Sequence, residues 1–332
     1  MNRRAFLTAA AASSVLSASA QQYARAQSMP RFYEAARYSS ERNGVSFLVA
    51  RNGVVLGEDY PGGSPDARWH IGHGTRMFAA LLAGSLIQER LLNLDEPCAS
   101  TLTEWSQDER RLAISVRSLL NGTSGVAFPR RGERTLAAAL ALEPSATLGQ
   151  VFSNDESPYI LLCEIARRKL AASGRDSDPA RWLTTRTLLP IGCVPIGWTR
   201  MADGAPRFDD GAAVSARGWA QAGELIRREG VWRAQQLADS ALLQEAMRGT
   251  FAEPRAGIGL WRAHEERRDP PIESDLWRAS HPAPADLAMA AGAGGQRLYI
   301  APSAGLVIAR QSRASEGPWS DAQFLTLVWR DL

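Results

Sequence analysis

The feature that most constrains this chain is the placement of its β-rich segments, which lie at both ends with a long helix-prone stretch between them. Residues 45–51 and 54–58 are dense in β-formers and are separated by Asn52-Gly53. That dipeptide supplies the two positive φ angles of a type I′ hairpin turn. β character returns only at 257–261, 296–301 and 305–310, with Pro302-Ser303 as a turn, and an amphipathic helix over 320–329 closes the chain. In between, the period is helical: Phe78, Leu81, Leu82 and Leu86 share one face of a helix over 75–91. Further helices are predicted over 116–121, 157–170, 179–189, 214–228 and 240–247. One antiparallel sheet built from both chain ends, flanked by helices and carrying an inserted helical region, is an α+β arrangement with its natural cleft between sheet and insertion. We therefore expect a single domain over 27–332, with a sheet lobe at about 40–70 and 255–332 and a helical lobe at about 95–250.

The first residues are expected to be a removable leader. Arg3-Arg4 stand before Phe6-Leu7 and a weakly apolar Ala/Ser/Leu run, the pattern of a twin-arginine export signal, with cleavage after Ala26. A periplasmic or secreted location follows as an expectation. The net charge of +3 is matched by the leader arginines Arg3, Arg4 and Arg25, so the remainder is neutral and gives no footprint for nucleic acid. Past the leader no run is long and apolar enough for an integral membrane segment. Cys98, Cys163 and Cys193 have no metal-site or redox spacing and read as small buried hydrophobes. Of the 38 basic residues only Lys169 is a lysine, so amines able to act as bases are almost absent.

Several stretches carry a family resemblance. Trp69-His70-Ile71-Gly72-His73-Gly74-Thr75-Arg76-Met77-Phe78 resembles the segment that holds a Ser-x-x-Lys box in the serine β-lactamase and penicillin-binding-protein superfamily, in particular its class C-like esterases and amidases. Leu91 to Pro97 and Leu119 to Gly125 resemble the stretches between boxes, and Phe152-Ser153-Asn154 stands where members have Tyr-x-Asn. Gly292 to Ile300 is similar to the glycine-rich strand of the third box. The match runs in order from about 42 to about 312, and it implies a β-lactamase/transpeptidase-like fold.

The resemblance also implies which residues would react, and they have changed. It places His73 at the nucleophilic serine, Arg76 at the lysine base and Phe152 at the tyrosine relay. Arginine is not deprotonated in proteins, and phenylalanine has no proton to give. The helix dipole and Arg76 are expected to hold His73 neutral. With Ala166 three residues before Lys169, no Ser-x-x-Lys box exists elsewhere. Arg76, Asn154 and the backbone of Gly294, Gly295 and Gln296 remain as a candidate anion site. Against this stands a pairing of Arg76 with an internal carboxylate such as Asp155. No cofactor is implied. A metal at His70 and His73 with His264 or His281 lacks a recognisable spacing. Ser153 is the nearest remaining hydroxyl, Trp69, Trp105, Trp198 and Trp232 read as core or cleft wall, Ser124-Gly125 as a turn, and Asp209-Asp210 as a solvated loop pair. Two functions stay open: a non-catalytic binding or regulatory protein taking a small-molecule or peptide-like ligand of anionic character, and a divergent hydrolase of esters, amides or β-lactam-like substrates.

Overall fold

The computed structural model describes residues 31–194, 196–263, 272–313 and 319–332; the leader, His264 and Pro270-Pro271 lie outside them. Strands β1 (Gly44–Arg51) and β2 (Val54–Asp59) form the expected hairpin, with Asn52 at φ 51° and Gly53 at φ 80°. In the helical part, β3 (Trp69–His70), β4 (Ile196–Trp198) and β5 (Ala212–Val214) make a small sheet in the order β3-β5-β4. A short ribbon, β6 (Val231–Trp232) with β7 (Gln235–Gln236), follows. The C-terminal strands are β8 (Trp261–Arg262), β9 (Ala288–Gly292), β10 (Gln296–Ala301) and β11 (Leu306–Ser312). The main sheet has six strands in the order β2-β1-β11-β10-β9-β8, so the first and last strands of the chain pair directly, antiparallel, with Val49 opposite Ile308.

The strand sequences explain the layering. β1 is apolar at consecutive positions rather than alternate ones, which suits a strand covered on both faces. Phe47 and Val49 join the core formed with Phe32, Phe324 and Val328, beneath the terminal helices Tyr33–Ser40 and Asp321–Arg330. Leu48 and Ala50 join the other core, with Leu298, Ile300, Trp219 and Leu225, beneath helix Ala216–Arg227 and the helical lobe. Each large side chain fully buried in these layers contributes about 1.5–3 kcal/mol.

Four expectations change in detail. The helix sought over 75–91 is a 3-10 turn, Gly72–Arg76, running into helix Met77–Gln88. The segment 179–189 is helical only over Pro179–Leu183 and then widens into a π-turn at Thr184–Leu188. The stretch 214–228 divides, because Ser215 caps the helix by accepting the Gly218 N–H and leaves Val214 in β5. Of 257–261, only Trp261 lies in a strand, since Gly259 takes φ +68°. The cysteines are buried and unbonded, as expected; burial pushes all three thiols up, so they are unreactive at neutral pH.

Candidate functional site

The Gly72–Arg76 turn is fastened on three sides. The Thr75 hydroxyl donates to the Gly72 carbonyl (2.6 Å) and accepts the Ala212 N–H (3.1 Å), while the Ile71 N–H reaches the Ala212 carbonyl (3.1 Å). β9 closes on the turn at Gly292, where a Cβ would fall 2.1 Å from the Ile71 carbonyl oxygen. Gly259 approaches from the third side; a Cβ there would lie 2.3 Å from the Arg76 carbonyl oxygen. No side chain fits at either place, so the main sheet and the 257–260 bend lock the backbone that presents His73 and Arg76.

Arg76 is buried at 7% exposure. Its Nη1 donates to Asn154 Oδ1, and its guanidinium lies 4.9 Å from the Tyr159 ring centroid. Its Nε is buried with no hydrogen-bond partner, and no described carboxylate lies within ion-pair distance. The pairing with Asp155 anticipated from sequence does not form. Asp155 Oδ1 instead accepts the N–H groups of Phe128 (3.1 Å) and Ser157 (2.8 Å), which holds the start of helix Ser157–Ala172. Phe152 packs edge-on against Trp261, with centroids 6.0 Å apart. Ser153 is held through its backbone N–H to Gly122 (2.8 Å), and among the described residues its hydroxyl bonds no base.

His73 is exposed at the cleft and makes no hydrogen bond to a described side chain. Desolvation of the part turned inward, then the Arg76 charge, pushes its imidazole down to about 4, with Asp210 opposing. It is therefore neutral at pH 7, as the sequence led us to expect.

Asp209 is the residue that sequence reasoning missed. Rather than solvated, it is 4% exposed, because Phe208 beside it is buried and stacks on Trp198 (4.7 Å), which in turn packs on Phe78 (5.5 Å). The nearest cation contact is Arg207 Nη2 at 3.8 Å, and that group is bonded more closely to Asp210 (2.8 Å). Burial first, then Asp210, pushes Asp209 up to about 6, against the fields of Arg207 and Arg76. Its sequence signal was the aromatic just before it.

The carbonyls of Gly294 (3.0 Å) and Gly295 (2.7 Å) accept from Arg310 Nη1 on the side away from solvent. The Gln296 side-chain amide is engaged by Ser312, donating to its carbonyl (2.7 Å) and accepting its N–H (3.2 Å). The residues that close on the turn are Gly292 and Ala293, earlier in the chain; the Ala293 N lies 3.7 Å from where a Gly72 Cβ would be. Of the histidines, His70 sits exposed on β3, and His281 Nε2 lies 3.2 Å from the Leu276 carbonyl. Among the described residues no three His, Cys, Asp or Glu side chains gather as a metal site. Trp105 is fully buried, Trp198 forms the aromatic stack above, and Trp69 and Trp232 are half-buried.

A sheet woven from both chain termini, a helical lobe and a buried turn at their junction together define a serine-hydrolase-type scaffold of the β-lactamase and penicillin-binding-protein kind. The chain belongs to the β-lactamase family, whose sequence profile matches residues 29–327. No curated protein matches it. Its fold is similar to a penicillin-binding protein homologue from Caulobacter crescentus (TM-score 0.68, 17% identity, covering 91% of this chain and 98% of that one). It is also similar to a family VIII carboxylesterase (TM-score 0.67, 16% identity, 91% and 98% covered) and to a penicillin-binding protein from Bacillus halodurans (TM-score 0.64, 14% identity, 89% and 98% covered). Among the described residues no helix is long and apolar enough to cross a membrane.

Proposed function

We propose that this protein is a catalytically silent member of the β-lactamase family, exported from the cytoplasm, that uses its cleft to bind a small anionic ligand. The observation that carries this reading is the environment of Arg76. The position that the resemblance assigns to the lysine base holds a guanidinium clamped between Asn154 and the face of Tyr159. A guanidinium has no lone pair to take a proton from an attacking group. The neighbouring chemistry offers no replacement. His73 lacks a partner to activate it, and Phe152 turns an inert ring edge toward Trp261. A fixed cation beside a neutral imidazole and an amide is instead suited to recognising an anion.

The test is covalent labelling. No reaction is expected with a serine-directed fluorophosphonate, a penicillin, a chromogenic cephalosporin or a short-chain nitrophenyl ester. Small carboxylates or phosphates should raise the melting temperature of the native protein and leave an Arg76→Gln variant unchanged. Rapid stoichiometric labelling, at Ser153 or elsewhere, would establish the divergent-hydrolase alternative.

A further inference from the structure

We propose that a groove in the helical lobe, separate from the Arg76 cleft, binds an organic monocation with an apolar body, of the arylalkylammonium kind. The inference does not rest on the reading of Arg76. The groove lies between one face of helix Ser157–Ala172 and the loops 176–179 and 200–206. Its volume is about 490 Å³, within the range of small-molecule sites. It shares no lining residue with the pocket beside Arg76. Ile160, Cys163, Glu164 and Arg167 recur at the spacing of one helical face and form one wall. Leu136, Met201 and Ala205 are half-buried, packed on the main core with part of their apolar surface left uncovered.

The walls are fixed, and their charges leave one carboxylate over. Arg200 ties the two loops together, through Nη2 to Asp178 Oδ2 (2.6 Å) and Nη1 to the Gly204 carbonyl (2.8 Å). The 201–205 turn closes on itself: the Met201 N–H donates to the Ala205 carbonyl (2.8 Å) and the Ala205 N–H to Asp203 Oδ1 (2.9 Å). Such preorganisation lowers the cost of binding. Every other charge on the lining has a partner. Asp178 pairs with Arg200, Asp176 with Arg181 (2.8 Å), and Glu164 with Arg167 and Arg168, the last of which Glu104 also binds. Asp203 has no cation within ion-pair distance among the described residues. Its field reaches the groove wall: burial first, and then Asp178, Glu164 and Asp203, push the Cys163 thiol up, with Arg200 opposing. Arg167 acts on the same thiol, but its guanidinium is held on Glu164 (2.7 and 2.8 Å). The one unmatched negative charge suits a monocation, whose apolar part would cover Leu136 and Met201. The groove is open to solvent on one side, so it selects by sign of charge and apolar contact, not by enclosure.

The test uses the full-length protein with 2-phenylethylammonium chloride as probe and 2-phenylethanol as its neutral counterpart, sodium chloride holding ionic strength constant. Apparent affinity is read at neutral pH from melting temperature against probe concentration. The ammonium should bind about three- to five-fold more tightly than the alcohol, the upper range for a partly exposed ion pair. Asp203→Asn keeps an oxygen for the Ala205 N–H and so preserves the turn. It should bring the ammonium down to the affinity of the alcohol and leave the alcohol unchanged. In a crystal soaked with 2-(4-bromophenyl)ethylammonium, the bromine anomalous peak should lie in the groove between Ile160 and Met201, a readout that stands whether or not the variant folds. Four results would each overturn the proposal: no stabilisation at any soluble concentration, equal affinity for ammonium and alcohol, an Asp203→Asn protein that binds the ammonium as the native protein does, or a peak elsewhere, with the groove empty or filled by a second copy of the chain. Covalent labelling by the fluorophosphonate would refute the reading of Arg76 and leave this site untouched.

Discussion

Replacing Arg76 by methionine should leave the protein as stable as before or stabilise it. Met keeps the apolar stem of the side chain, so packing against Tyr159 and the Met77 turn is largely preserved. Two favourable interactions are lost. The charge-assisted bond to Asn154 contributes about 1.5–3 kcal/mol, toward the lower end because Asn154 is exposed and its amide returns to water. The stack on Tyr159, a desolvated cation over a ring, contributes about 2 kcal/mol. Against them stands the cost of holding a buried cation without a counter-charge, which is several kcal/mol after relaxation. The two sides are of similar size, and relief of the orphaned Nε tips the balance toward methionine. We expect a change in unfolding free energy between zero and a gain of about 2 kcal/mol, read from urea denaturation with an unchanged m-value. A loss above about 3 kcal/mol would mean that Arg76 is already satisfied within the fold. The case for a ligand there would then fail.

Arg310 should behave in the opposite way. It is fully buried without a carboxylate partner, yet its guanidinium bonds Ser39, Arg42, Gly294 and Gly295 and lies 4.0 Å from the Trp319 centroid. Arg310→Met should cost about 3 kcal/mol or more by the same denaturation assay, because it strands those buried carbonyls. His73 and Asp209 make opposed contributions to acid stability. The His73 pKa is about 4 against 6.5 unfolded, so the unfolded chain binds more protons between these values and stability falls as pH drops from 6.5 to 4. Asp209 is at about 6 against 3.8, so the folded chain binds more protons and stability rises as pH falls through 6. In the native protein the two should nearly cancel between pH 4 and 6, and Asp209→Asn should expose an acid loss that His73→Gln removes, checked by melting temperature against pH. The triple variant His73→Ser, Arg76→Lys, Phe152→Tyr should acquire a slow fluorophosphonate label while each single change does little, since such groups act as a unit; a folded triple variant without label would show a remodelled cleft. Protein recovered from its native host should begin near Gln27, and sequencing a mature chain that still starts at Met1 would end the export reading.

The elements legible in the sequence were those specified by near neighbours. The β1–β2 hairpin follows from Asn52-Gly53, because two positive φ angles are a local property of those residues. The helix Ser157–Ala172 follows from its period and early Pro158. β9 was not legible. Its Ala-Met-Ala-Ala-Gly sequence has little intrinsic β preference, and it is a strand because β10 and β8 pair with it on either side. The helix Tyr33–Ser40 was likewise missed, being defined by what its Ala35 and Tyr38 bury against the sheet.

The candidate site divides along the same line. By itself the sequence carried the expectation, through the resemblance, that His73, Arg76 and Phe152 stand where the family has serine, lysine and tyrosine, because residue identity is all that such an expectation requires. It also led to the expectation of a neutral His73 from the nearby arginine, although the larger cause, desolvation of the ring, belongs to the tertiary structure. Only the tertiary structure decided what those side chains touch. It gave Arg76 to Asn154 instead of Asp155, spent Gln296 on Ser312, and buried Asp209 through the stacking of Phe208 on Trp198. Those outcomes depend on contacts beyond the reach of a helical or strand period, the Arg76–Asn154 bond joining residues 78 apart, which a linear pattern does not encode. The small pocket that Arg76 lines exists for the same reason: its walls come from four separate stretches of chain that meet only when the sheet closes on the helical lobe.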